Sequence, residues 1–85
     1  LGQLHGRVAL VTGGAKSIGR ALSRALAAEG ASIVIMDIED GESTASEITT
    51  DFGVPSLSII GDVSLEENVE KVVSAAIDRF GKIDI

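Results

Sequence analysis

Eight consecutive residues, Thr12-Gly13-Gly14-Ala15-Lys16-Ser17-Ile18-Gly19, place three glycines and two hydroxyls where an apolar run ends and a helical pattern begins. Glycine lets the backbone turn tightly and approach a ligand closely. The free N–H groups and the positive dipole end of the helix that follows then attract a phosphate. Asp37 comes 18 positions after Gly19, at the end of a second apolar run. That is close to the roughly 20-residue spacing at which a carboxylate receives the hydroxyls of an adenosine ribose. A third apolar run closes in Gly61-Asp62-Val63-Ser64, where Asp62 can accept a hydrogen bond from an adenine amino group. Phosphate turn, ribose acid and base acceptor together suit a dinucleotide.

Those residues act together only if the chain brings three strand ends to one edge. RVALVTGG from Arg7, ASIVIMD from Ala31 and PSLSIIGDV from Pro55 are apolar runs ending in turn residues, and the first two are expected to be buried on both faces. Ile18, Ala21, Leu22, Ala25 and Leu26 form one helical stripe with Arg20, Ser23 and Arg24 on the other side, closed by Gly30. A second helix carries Ala45, Ile48 and Phe52 up to Gly53. A third carries Leu65, Val69, Val72, Val73, Ala76 and Phe80 up to Gly81, with Ser64 and Glu67 placed as a capping box.

The order β-α-β-α-β-α predicts an α/β fold, a doubly wound parallel sheet with right-handed crossovers. In the strand order 3-2-1-4, ligands lie beyond the carboxyl ends of the strands, which puts Gly13, Asp37, Asp62 and Val63 on one rim. Lys82-Ile83-Asp84-Ile85 has the form of an opening fourth strand. Residues 1–85 are therefore expected to be a partial dinucleotide-binding domain, cut at strand 4.

Composition narrows the chemistry further. The chain has 85 residues, 45% of them hydrophobic, which suits one small globular unit rather than disorder. There is no Cys, Trp or Tyr, which removes thiol nucleophiles, Cys-based metal sites and a tyrosine acid from these residues. The net charge of −6 is opposite in sign to the basic stripe of a nucleic-acid binder. No segment reaches the roughly 20 apolar residues that cross a bilayer, and a cytoplasmic location is expected. His5, the one imidazole, precedes the first strand and is expected to be inert. Glu66, Glu67 and Glu70 lie where negative charge suits a helix start, so they are expected to form a solvated face rather than a metal site.

With these residues in place, Thr12 to Gly19 resembles the TGxxxGxG turn of the short-chain dehydrogenase/reductase family. RVALVTGG before it, Asp37 at the second strand end and GDVS at the third fall where that family has them. The resemblance covers the whole chain and implies a Rossmann-type fold, here its N-terminal βαβαβα half with the start of strand 4. It implies that Gly13, Ser17, Ile18 and Gly19 line the pyrophosphate turn, that Asp37 holds the ribose and Ile38 walls the adenine, and that Asp62 with the Val63 backbone meets the adenine edge. The activity implied is an NAD(P)-dependent oxidoreductase acting by hydride transfer on a hydroxyl or keto substrate, as a dimer or tetramer. The family's catalytic tyrosine, lysine, serine and asparagine belong after strand 4, and the only asparagine here, Asn68, falls inside the third helix, so no catalytic residue carries over.

Two positions set the cofactor question. A carboxylate facing a phosphate charge at a few ångströms costs about 1–4 kcal/mol, so Asp37 favours NAD over NADP. Lys16 pulls the other way, because a basic residue there occurs in the family's NADP-preferring members. Ser17 departs from the family pattern by standing where the middle glycine usually is.

Competing readings differ in what they require. A P-loop needs glycine at positions 10 and 15, where this chain has Leu10 and Ala15. A methyltransferase shares the glycine turn and the acidic strand end, and only the Thr12-Gly13 start and the GDVS segment decide against it. A different class of protein, a nucleotide-binding or assembly module that catalyses nothing, is the alternative to the enzyme.

Overall fold

In the computed structural model, which describes residues 2–85, the three apolar runs are strands and the intervening patterns are helices. The order is β1 (Val8–Thr12), α1 (Ser17–Ala28), β2 (Ser32–Asp37), α2 (Glu42–Phe52), β3 (Ser56–Ile60) and α3 (Glu66–Phe80). All pairing is parallel, with β2 between β1 and β3; Leu10 faces Val34, and Val34 faces Leu57.

Side chains alternate across a strand, and β2 uses both faces. Ile33 and Ile35 pack with Ala9 against Ala27 of α1 and with Ala45 and Ile48 of α2. Val34 and Met36 pack with Val8 against Val72 and Ala76 of α3. The sheet is thus wound on both faces, and Ile33 to Met36 are at most 1% exposed. This is why β2 is the continuous apolar run its sequence shows.

The buried face of α1 is not the stripe its apolar periodicity suggests. Ile18 is 85% exposed and Leu22 50%, whereas Ser23 and Ala27 are buried. The helix meets the sheet through Gly19, Ser23 and Ala27, small residues four apart that let its backbone come close. Ser23 is satisfied by donating its hydroxyl to the Gly19 carbonyl at 2.9 Å. The arginine side of α1 turns toward α2: Arg20 and Arg24 both pair with Glu47, Arg24 also reaches Asp51 at 2.9 Å, and its guanidinium lies 4.9 Å from the Phe52 ring centre.

β3 stops at Ile60, so Asp62 and Val63 lie in the turn beyond it rather than at its end. The capping box of Ser64 and Glu67 does not form; Leu65 is the cap residue of α3, and Ser64 instead donates its hydroxyl and N–H to Asp62 at 2.7 and 2.9 Å. On α3, Leu65 and Val73 stay exposed while Val72 and Ala76 are buried. Residues 82–85 carry no regular strand, but Asp84 and Ile85 donate to the Val8 carbonyl and Leu10 donates to that of Ile85, at 2.8 to 3.1 Å. This segment therefore lies along the edge of β1 away from β2, where a fourth strand was expected.

Candidate functional site

The carboxyl ends of β1, β2 and β3 form one rim, and backbone bonds tie it together. Gly13 donates to the Met36 carbonyl at 2.7 Å, and Gly61 donates to that of Asp37 at 2.9 Å. The turn after β1 and the turn after β3 are thereby both anchored to the end of β2. Ala15, in the glycine turn, is held from two sides. Its N–H donates to Asp37 Oδ2 at 3.1 Å, and its carbonyl accepts from the Thr44 hydroxyl of α2 at 2.6 Å.

Each glycine of the turn has a distinct task. Gly13 adopts φ +68°, a left-handed conformation that side chains rarely take. Gly14 is packed: a Cβ there would lie 3.1 Å from Ile35, Ser23 and the Val11 carbonyl. Gly19 permits no side chain, since its Cβ would lie 1.8 Å from the Gly13 carbonyl oxygen. The first turn of α1 therefore sits directly against the loop, and the first N–H groups of a helix have no acceptor within it. No side chain caps α1 and its first turn has no acidic residue, while α2 begins with Glu42 and α3 with Glu66 and Glu67. The positive end of α1 thus has no capping or acidic side chain of its own.

Ser17 is the one described non-glycine residue with positive φ, at 55°. Left-handed backbone costs an L-residue about 1–2 kcal/mol. Glycine would remove that strain and lose about 0.5–1 kcal/mol of it to backbone entropy. Ser17→Gly is therefore expected to raise thermal stability slightly and to leave dinucleotide affinity equal or tighter. Clearly weaker binding by calorimetry would show that the hydroxyl contacts the ligand.

At the end of β2, Asp37 is only 8% exposed, and both its oxygens accept backbone bonds, Oδ2 from Ala15 and Oδ1 from Glu39 at 3.0 Å. An ionised carboxylate has about four lone-pair positions, so lone pairs remain for a further donor. Ile38 beside it and Val63 across the rim are 68% and 54% exposed, both apolar and both at the edge of the same site.

Asp62 belongs to a local hydrogen-bonded turn. The Ser64 hydroxyl, then the Ser64 N–H, hold its carboxyl below the usual range. Its own N–H donates to Asn68 Oδ1 at 2.9 Å. Asn68, which by sequence reads only as an interior helical residue, thus holds the β3–α3 turn; its spacing of six from Asp62 is the one local signal, and a weak one. Lys16 lies at the cap of α1 and pairs through its ammonium with Glu39, a bond that raises its pKa. Neither the Glu39 contact nor the Thr44 contact was visible in the sequence, because both cross from one rim loop to another element.

Fold and rim define a doubly wound parallel α/β protein whose glycine turn and Asp37 gather at the strand carboxyl ends. The chain belongs to the short-chain dehydrogenase family: a family model described as short chain dehydrogenase matches residues 7–85. A short chain dehydrogenase/reductase of Aspergillus oryzae is 39% identical over 96% of this chain and 32% of its own length. A cis-2,3-dihydrobiphenyl-2,3-diol dehydrogenase of Paraburkholderia xenovorans is 43% identical over 96% of this chain and 29% of its own length. The solved structure of a citronellol catabolism dehydrogenase of Pseudomonas aeruginosa superposes with a TM-score of 0.88 at 34% identity, over 96% of this chain and 35% of that one. The chain thus spans about a third of the length of these relatives. Among the described residues, no helix is long and apolar enough to cross a membrane.

Proposed function

We propose that residues 1–85 are a partial dinucleotide-binding domain that supplies the adenosine and pyrophosphate part of an NAD(P) site. The protein that uses it is an oxidoreductase of a hydroxyl or keto substrate. The observation that carries this is Gly19: a turn with no room for a Cβ, opening onto an uncapped helix start, is a backbone cradle for phosphate. Gly13, Ser17, Ile18 and Gly19 line that cradle, with Lys16 at its edge. Asp37 receives the ribose hydroxyls, Ile38 and Val63 offer apolar walls to the adenine, and Asp62 meets its edge. When bound, the nicotinamide supplies or accepts the hydride. The chain's own residues bind and orient the other end of the cofactor.

Asp37 makes NAD the preferred dinucleotide. Several relatives' names describe dehydrogenases, among them a sorbitol dehydrogenase of Cereibacter sphaeroides, which agrees with a polar hydroxyl substrate in the whole protein. A homo-oligomer and a cytoplasmic setting complete the proposal. Calorimetric titration of the intact protein with NAD, NADP and S-adenosylmethionine tests it. Micromolar binding of NAD and none of S-adenosylmethionine is expected, and the reverse order would make the site that of a methyl donor.

A further inference from the structure

Lys16 and Glu39 sit on different loops yet meet. Lys16 is at the cap of α1 in extended conformation, and Glu39 lies two residues past β2; their charged groups form an ion pair. Asp37 sets this meeting up. One of its oxygens takes the N–H of Ala15, the residue before Lys16, and the other takes the N–H of Glu39 itself. A single carboxylate thus fixes both backbone segments and brings the two side chains together beside it. Both are accessible, with 67% and 52% of their side-chain surface exposed, so an arriving ligand meets them.

We propose that Glu39 is a specificity-determining residue of the dinucleotide site, which occupies Lys16 and so keeps that cation from receiving a phosphate on the adenosine ribose. The inference rests on the dinucleotide reading above and adds a residue to it. The three groups carry a net charge of −1 while Glu39 is ionised, and the ammonium is already neutralised by a neighbour. A ribose phosphate arriving at Asp37 then faces two carboxylates and no free cation. Without the Glu39 charge the same three positions sum to zero, and Lys16 is released to turn toward the phosphate.

The test measures the affinities of NAD and NADP for the intact protein and for Glu39→Gln, Lys16→Ala/Glu39→Gln and Glu42→Gln. One exposed charge and its ion pair are worth enough to shift the NADP to NAD affinity ratio roughly 5- to 10-fold in favour of NADP in Glu39→Gln. The shift should shrink as salt rises. Most of it should vanish in the double variant, which has no cation to release. Glu42→Gln removes an equal charge from the first turn of α2, outside the Lys16–Glu39 ion pair, and should move the ratio less than twofold. An unchanged ratio in Glu39→Gln, an equal gain in the double variant, or an equal gain in Glu42→Gln overturns the proposal while leaving the dinucleotide site intact. Failure of the unmodified protein to bind either dinucleotide overturns the site itself.

Discussion

Gly19→Ala is expected to abolish dinucleotide binding and to destabilise the domain. The added methyl would lie 1.8 Å from the Gly13 carbonyl oxygen and 2.6 Å from its carbonyl carbon, both main-chain atoms that cannot rotate aside. Helix α1 must move away from the turn. Overpacking a tight contact costs about 1–3 kcal/mol, and a backbone clash belongs at the upper end. The turn is also tied to β2 through Gly13 and Ala15 and to α2 through Ala15, so displacement strains three elements. Losing two or so charge-assisted bonds to phosphate, at about 1.5–3 kcal/mol each, predicts at least about 100-fold weaker binding.

Gly53→Ala separates strain from collision. Gly53 has φ +71°, but a Cβ there meets nothing within 4 Å. It should cost about 1–2 kcal/mol through φ alone and leave binding intact. Thermal melts with calorimetry compare the two. Binding of NAD by Gly19→Ala at wild-type affinity would mean that the turn is not the phosphate cradle.

Asp37→Ala is expected to weaken NAD by roughly 10- to 100-fold, the worth of one or two hydrogen bonds to a charged acceptor. It should also relieve a carboxylate-to-phosphate repulsion of about 1–4 kcal/mol against NADP, so the preference ratio falls by about 100-fold. The alanine variant has a second effect, because the N–H groups of Ala15 and Glu39 both lose their acceptor. Some loss of stability is therefore built into it. Asp37→Asn removes the charge and keeps an oxygen for one of these donors, while its NH2 group faces the other. It should hold the fold better and relax the rejection of NADP. If neither variant moves the NAD to NADP ratio, Asp37 is not the ribose acid.

Much of the rim was legible because its signals are local. A glycine-rich turn between an apolar run and a helix, and an acid closing the next apolar run, depend on neighbours within a few residues. Ala45, Ile48 and Phe52 lie on the inner side of α2 as their spacing suggests, for the same reason. By sequence Asp62 suits a strand end and Ser64 a helix cap, because strand ends, caps and tight turns use the same residue types. In the structure Asp62 accepts both Ser64 donors, and the short loop closes on itself.

The amino-acid sequence by itself determined the order of elements, the parallel winding, the double-sided burial of β2 and the presence of Gly13, Gly19 and Asp37 at one edge. These follow from periodicities and turn residues that act over one or two elements. Only the tertiary structure decided which side of α1 meets the sheet and which acid meets Lys16. Apolar spacing shows that a helix has a greasy stripe but not which surface it faces, and close approach to β1 and β2 selected Gly19, Ser23 and Ala27 over Ile18 and Leu22. Glu39 stands in a run with Asp37, Asp40 and Glu42 that the sequence cannot rank. The fold ranks it, because Asp37 binds the N–H groups of Ala15 and Glu39 together and so brings Glu39 into an ion pair with Lys16.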